Sequence, residues 1–158
     1  MGADRLDLWS LLVEGELVGL DTSIFIYFMN RQEPYYRLSR EILQHIESGQ
    51  LRAVISTVNQ MEMLVEPLAA GKSEIVNDIE DLLLRLTWIR IIPVDSTIAR
   101  RAAALRAGSR LPGLDCLIGA TAITSGCRHI IGNDNEFAKR VNDIRYLVLD
   151  EFVLTSQE

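Results

Sequence analysis

The stretch Leu17-Val18-Gly19-Leu20-Asp21-Thr22-Ser23 decides the fold class of this 158-residue sequence. Leu17–Leu20 predicts a short strand, and the apolar run that follows predicts a helix over Ser23–Asn30. Asp21 stands between the two elements. An acid in that position is either the N-cap of the helix or a metal ligand at a strand end. The stretch therefore predicts an α/β protein and its first candidate site residue together.

The same alternation of strand and helix continues along the chain. Further strands are predicted at Arg52–Ser56, Ile89–Val94, Arg128–Ile131 and Arg145–Leu149. Further helices are predicted at Tyr35–Ser48, Thr57–Ala70, Ser73–Thr87, Ser96–Ala107, Gly113–Ser125 and Asn135–Val141, with an extra helical turn within residues 5–16. This order predicts a mostly parallel sheet covered by helices on both faces, because parallel strands need crossover connections.

Length and composition predict one soluble domain over residues 1–158. The longest weakly charged stretch, Leu111–Cys127, contains Pro112, Gly113 and Asp115, so no membrane span is expected. The start of the chain, MGADRLDLWS, does not resemble a secretory signal. The two cysteines form no CxxC motif and predict buried thiols of a cytoplasmic protein.

The formal net charge of −6 argues against a protein that coats duplex nucleic acid, since such proteins are usually basic. Of the sixteen basic residues only Lys72 and Lys139 are lysines. The arginines suit bidentate phosphate contacts, or serve simply as surface cations.

Four predicted strands lead into an aspartate: Asp21, Asp95, Asp134 and Asp150. Asp95 precedes a good helix start, which predicts a cap. Asp150 stands beside Glu151, which predicts a solvated turn. Asp21 and Asp134 stay open between a capping or turn role and a metal-binding role.

Asp115 is the only charged residue between Arg110 and Arg128, in a helix that is apolar almost all round. A carboxylate there costs several kcal/mol, of the order of the penalty for burying a charge, unless a partner neutralises it. The partner is either a metal ion or an arginine such as Arg110, which could instead contact a substrate phosphate.

Glu62 belongs to the helix Thr57–Ala70. Val58, Met61, Val65 and Leu68 share one face of this helix and predict its core side. Glu62 lies at the edge of that face, where it either reaches solvent or contributes to an acidic site.

Several carboxylates at strand ends and helix starts need neutralisation, because like charges raise one another's pKa. Oxygen ligands select Mg²⁺ or Mn²⁺, which can polarise a phosphoryl oxygen and ready a water for attack. An acidic site without a nucleophilic Ser, Cys or His favours phosphate-ester hydrolysis. His45 and His129 do not have the setting of a general base.

The ordered set of motifs resembles the PIN-domain family over about residues 17–152, and VapC-type toxins of toxin–antitoxin pairs within it. The matching segments are Leu20-Asp21-Thr22-Ser23, Ile55 to Leu64 around Glu62, Leu111 to Ala122 around Asp115, and Asn133-Asp134 leading to Phe137.

The resemblance implies a three-layer α/β/α sandwich around a roughly five-stranded parallel sheet, with a short N-terminal extension. It implies Mg²⁺- or Mn²⁺-dependent cleavage of RNA, with Asp21 and Asp115 as the direct ligands and Glu62 and Asp134 completing the acidic pocket. Arg110, Thr22 and Asn133 are the predicted substrate-binding residues. A homodimer, and an antitoxin that carries a basic residue into the pocket, are the implied partners.

The sequence departs from the family pattern at Gly132, where a Thr or Ser often precedes Asn-Asp, so a hydroxyl group is missing. The alternatives are a catalytically weak or inactive PIN-like binding module, and a PIN nuclease of RNA processing. Another phosphate-handling α/β fold is disfavoured, since the further acids and the lysine that such folds need are not in place. No GxGxxG or GxxxxGK[ST] motif supports a nucleotide cofactor.

Overall fold

The computed structural model describes residues 7–153. They contain five parallel strands: β1 (Leu17–Leu20), β2 (Arg52–Ser56), β3 (Ile89–Ile92), β4 (His129–Gly132) and β5 (Arg145–Val148). The strand order in the sheet is β3-β2-β1-β4-β5. The predicted parallel, five-stranded sheet is confirmed.

The helices of the described residues are α1 (Leu8–Leu11), α2 (Thr22–Met29), α3 (Tyr36–Glu47), α4 (Thr57–Ala69), α5 (Ser73–Arg85), α6 (Ser96–Ser109), α7 (Gly113–Thr124), α8 (Asn135–Arg140) and α9 (Asp150–Val153). The extra turn expected within residues 5–16 is α1, although residues 5 and 6 lie outside the described range. α9 was not predicted, because its four residues are too few to show a helical period.

Two hydrophobic clusters cover the two faces of the sheet, which confirms the three-layer α/β/α sandwich. Successive residues of one strand point to opposite faces, as Ile131 and Ile130 of β4 do. Ile131 joins a cluster that includes Phe25 of α2 and Ile42 of α3, and Ile130 joins one that includes Cys116 of α7.

The outer face of α4 corrects a prediction. Met61, Val65 and Leu68 were expected to face the core, but 45%, 56% and 62% of their surfaces are exposed. The buried side of α4 instead carries Val58, Asn59, Met63 and Pro67. The helical period located an apolar stripe correctly, but it does not reveal whether the chain itself covers that stripe.

The connections from β1 set the position of the site. The chain runs from β1 to β2 and β3 on one side, then returns to place β4 and β5 on the other side. β1 and β4 are therefore neighbours with diverging connections, and their register pairs Leu20 with Ile131. A crevice beyond the carboxyl ends of two such strands is the usual ligand site of open parallel sheets.

Candidate active site

Asp21 directly follows β1 and has both a capping role and a place in the site. Its Oδ1 accepts a hydrogen bond of 2.7 Å from the Thr22 N–H at the start of α2, and its Oδ2 accepts one of 2.7 Å from the Tyr146 hydroxyl. Burial raises the pKa of the Asp21 carboxyl, although these two hydrogen bonds act in the opposite sense, and nearby Asp134 raises it further.

Asp134 follows β4 and is the N-cap of α8. Its Oδ1 accepts a hydrogen bond of 3.0 Å from the Phe137 N–H, and its own N–H donates to the Tyr146 hydroxyl over 3.1 Å. The pairing of β1 with β4 brings Asp134 beside Asp21, since the Asp21 N–H donates to the Ile131 carbonyl at 2.9 Å.

Asp115 enters the same crevice from the first turn of α7. Gly119 allows α7 to approach closely, because a Cβ there would lie 2.5 Å from the ring of Phe137 in α8. Burial raises the pKa of Asp115 to about 6, with further contributions from Asp134, Asp21 and Glu62. The four predicted acids therefore share one electrostatic environment.

Glu62 lies at the rim of this group rather than in its centre. Its Oε1 accepts a hydrogen bond of 2.8 Å from the Thr22 hydroxyl. That hydroxyl also accepts one of 3.0 Å from Asn59 Nδ2, which lies 3.3 Å from the Leu20 carbonyl. Thr22, which we predicted to bind substrate, is buried and positions Glu62 in this structure.

The other two predicted substrate-binding residues lie apart from the acids. Arg110 ends α6 in a left-handed conformation with φ 62° and is exposed. No hydrogen bond or ion pair joins it to Asp115 within residues 7–153. Asn133 Nδ2 donates to the Tyr27 hydroxyl at 3.0 Å and lies 3.4 Å from Asp150 Oδ1.

The remaining strand-end aspartates have structural partners. Asp95 accepts a hydrogen bond from the Ile98 N–H at 2.8 Å, which confirms the predicted cap. The solvated turn predicted at Asp150 is wrong. This residue begins α9, and its carboxylate accepts a hydrogen bond of 2.6 Å from the Tyr35 hydroxyl.

The two histidines lie outside the acidic group. His45 stacks on Trp9, with ring centroids 3.7 Å apart. His129 lies in β4 at the other end of the sheet, and its Nδ1 is 2.7 Å from Glu16 Oε2, with both side chains buried. Cys116 and Cys127 are buried free thiols, as predicted.

The donor chemistry of the crevice fits a hard divalent cation. Asp21, Asp115 and Asp134 line a cavity of about 10 Å³, the space of about one water molecule. No Lys or Arg of the described residues forms an ion pair with them. In this conformation no three Asp, Glu, His or Cys side chains within residues 7–153 form a group that could hold a metal ion. Binding of an ion therefore requires the carboxylates to move closer to one another.

Two residues of this arrangement were not found from the sequence. Asn59 completes a capping box with Ser56, and the Ser-x-x-Asn spacing was a signal that could have found it. Tyr146 lies on β5, and its role depends on the pairing of β5 with β4, which no local pattern reveals.

The family model described as PIN domain matches residues 18–142. The chain belongs to the PIN-domain family. The match begins at Val18 in β1 and extends past α8, and so includes all four acids of the site. PIN domains as a family are nucleases that generally use divalent metal ions.

Three solved structures that are similar to this PIN domain come from three different organisms. One is a toxin-antitoxin complex from Klebsiella pneumoniae, with 24% identity, a TM-score of 0.60, and coverage of 82% of this chain and 94% of the other. Another is DNA-bound VapBC from Salmonella typhimurium, with 21% identity, a TM-score of 0.65, and coverage of 87% and 98%. FitAcB from Neisseria gonorrhoeae has 19% identity, a TM-score of 0.61, and coverage of 83% and 96%.

At these identities the structures establish the shared fold. No curated protein matches the sequence significantly. Among residues 7–153 no helix is both long and apolar enough to span a membrane.

Proposed function

We propose that this PIN domain is a Mg²⁺- or Mn²⁺-dependent endoribonuclease and the toxin of a type II toxin–antitoxin pair, acting in the cytoplasm. One observation carries the proposal. Three carboxylates from separate elements meet at the β1–β4 switch point around a cavity of about 10 Å³, with Tyr146 as the other polar side chain lining it. Such a group is costly to fold unless a cation completes it.

In this proposal Asp21 and Asp115 are the direct ligands and Asp134 completes the acidic pocket. A bound Mg²⁺ or Mn²⁺ would stabilise charge on the phosphoryl oxygens and lower the pKa of an attacking water. Glu62, held by the Thr22 hydroxyl, orients water at the rim of the pocket. The exposed Arg110 contacts an RNA phosphate, and Asn133 lies beside the scissile strand.

The test is RNA cleavage by purified protein free of any partner, with Mg²⁺, Mn²⁺ or EDTA, beside an Asp21→Asn variant. We expect cleavage that requires the metal and is lost in the variant, because Asn keeps the cap but not the charge. Calorimetry with Mn²⁺ runs in parallel. Protein that neither binds Mn²⁺ nor cleaves a broad RNA panel would instead be a PIN-like binding module.

The role of Arg110 is tested separately from that of the acids. We expect Arg110→Ala to weaken RNA binding while Mn²⁺ affinity stays unchanged, because within residues 7–153 no hydrogen bond or ion pair joins Arg110 to the acidic group. Arg106→Ala is a matched arginine control, since Arg106 donates to the Leu111 carbonyl at 2.8 Å and so has a structural partner. Equal loss of metal and RNA binding in Arg110→Ala would contradict the assignment.

The proposed antitoxin has a groove available for its binding segment. Residues of α2, α4 and α5, together with Lys72, line a groove of about 420 Å³, and Glu62 and Glu66 are among them. A chain lying there could place a basic side chain beside Glu62. Co-expression with the product of the adjacent gene should give a complex that does not cleave RNA. Substitution of that partner's basic tail residue by Ala should restore cleavage.

The proposed homodimer is tested on the exposed stripe of α4 formed by Met61, Val65 and Leu68. Phe25 of α2 and Ile79 of α5 belong to the core and are unavailable for an interface. We expect light scattering to give about twice 17.8 kDa for the natural chain and one times that mass for Val65→Asp. Leu84→Asp, at a residue 82% exposed on α5, is the matched control and should stay dimeric.

A further inference from the structure

Tyr146 contributes the hydroxyl group that lies between the two strand-end aspartates. Its Oη is 2.7 Å from Asp21 Oδ2 and 3.1 Å from the Asp134 backbone nitrogen. The backbone N–H can only donate, so the tyrosine oxygen accepts from Asp134 and gives its own proton to Asp21. Both hydrogen-bonding functions of the hydroxyl are therefore used, and in opposite directions.

Gly132 makes this arrangement possible. Tyr146 pairs with Ile130 in the β4–β5 register, two positions before Gly132 on the neighbouring strand. Its side chain passes over Gly132, where a Cβ would overlap the tyrosine hydroxyl and lie 2.5 Å from the Asp21 Cβ. Because Gly132 has no side chain, the Tyr146 hydroxyl has room to reach Asp21.

We propose that Tyr146 is the positioning residue of this site, supplying from β5 the hydroxyl that position 132 lacks and fixing the Asp21 carboxylate for the metal ion. The Thr22 N–H holds one carboxylate oxygen and Tyr146 holds the other. Each oxygen keeps a further lone pair for a ligand. This inference rests on the proposed function, because it concerns how the metal is held.

Replacement of Tyr146 by Phe removes the hydroxyl and keeps the ring, which packs against Phe137 at a centroid distance of 5.3 Å. Loss of a group that orients a metal ligand typically weakens metal affinity by about 10–100-fold. We therefore expect calorimetry to show Mn²⁺ binding weakened by at least about 10-fold in Tyr146→Phe.

The matched control is Tyr35→Phe, which removes another hydroxyl bonded to a carboxylate, that of Asp150 at 2.6 Å. It should lower thermal stability in the same way and leave Mn²⁺ affinity unchanged. A double-mutant cycle adds a second check: in the Asp21→Asn background, Tyr146→Phe should have no further effect on Mn²⁺ affinity, because its effect acts through Asp21.

Kinetics separate a positioning role from general loosening of the fold. The Mn²⁺ concentration for half-maximal cleavage should rise in Tyr146→Phe, while kcat at saturating Mn²⁺ and KM for RNA stay close to those of the natural chain. Unchanged Mn²⁺ affinity in folded Tyr146→Phe, or equal loss in Tyr35→Phe, overturns the inference alone. A natural chain that binds no Mn²⁺ overturns the proposed function and this inference together.

Discussion

Buried or half-buried carboxylates lie at both ends of the β-sheet, but within residues 7–153 only the amino end provides a basic side chain for its acid. There Glu16 lies 2.7 Å from His129. At the carboxyl end Asp21 and Asp134 each accept a hydrogen bond from a backbone amide, and Asp21 accepts another from the Tyr146 hydroxyl. Asp115 is influenced by the charges of the other acids. The first arrangement pairs its acid with a basic side chain of the chain itself. In the second, burial and the neighbouring acids raise the pKa of Asp21 and Asp115, and a bound cation would relieve the repulsion between them.

Among the variants that compare the two ends, Asp134→Asn has the largest expected effect, because it keeps the helix cap and removes the charge. We expect metal-dependent cleavage to fall by more than about 100-fold, beyond the usual cost of losing an outer partner of a metal site. The matched control is Glu16→Gln at the amino end, where the cleavage rate should equal that of the natural chain. A similar loss in both variants would remove the distinction between the two ends.

Substitutions at the amino end of the sheet should instead have the larger effect on the free energy of unfolding. His129→Leu leaves the Glu16 carboxylate buried without its partner, and its Oε1 already has no hydrogen-bond partner among the described residues. We expect the free energy of unfolding to fall by about 3 kcal/mol, measured by urea denaturation. The double variant Glu16→Leu/His129→Leu should recover most of this loss, because an apolar pair of similar volume replaces the polar one. No recovery would mean that packing, and not the unpaired acid, causes the loss.

Metal affinity at the carboxyl end should depend on pH. Because the pKa of Asp115 is about 6, its ionised fraction rises about fourfold between pH 5.5 and 7.5. Mn²⁺ affinity measured by calorimetry should rise by about the same factor. The rise should be much smaller in Asp115→Asn, and an unchanged pH profile in that variant would show that another group titrates.

The smallest expected effect concerns the stability of the metal-free chain. The pKa of Asp115 is 3.8 ordinarily and about 6 here, so the folded state binds more protons than the unfolded state between these values. The folded state is therefore destabilised as pH rises through this window, and the full penalty applies above pH 6. Allowing for its partial exposure, we expect Asp115→Asn to raise Tm by about 2 °C at pH 7.5.

The same variant should leave Tm nearly unchanged at pH 3.5, where Asp115 is mostly protonated in both states. Saturating Mn²⁺ at pH 7.5 should reverse the order of the two proteins, because only the natural chain gains stability from the ion. An equal rise in Tm at both pH values would show that the charge of Asp115 is not the cause.

The sequence predicted the strands well because each is a short β-branched or apolar run bounded by turn residues. It also indicated acids that lie close together in the structure, since Asp115 in an apolar helix and Asp21 at a strand end are costly positions whatever the tertiary structure. The position of Tyr146 could not be predicted in this way. It requires the β4–β5 register and the open space at Gly132, which are properties of two strands together.

The stripe Met61, Val65 and Leu68 shows a second limit of sequence reasoning. The helical period of a sequence shows only that apolar residues gather on one face of a helix. The pattern is the same whether that face packs against the core or is exposed to solvent. Glu62 was therefore assigned to the edge of the wrong face, although its place beside the acidic group was expected.

The order of strands in the sheet has a consequence for the synthesis of the protein. β1 pairs with β4, and Val18 lies opposite His129. While a ribosome makes the first 128 residues, Asp21 and Glu62 are already present, but Asp134 and Tyr146 do not yet exist. A nascent chain is thus unable to assemble the complete acidic group, and one edge of β1 stays without its partner strand. The strand order therefore delays assembly of the complete acidic group until β4 and β5 have been synthesised.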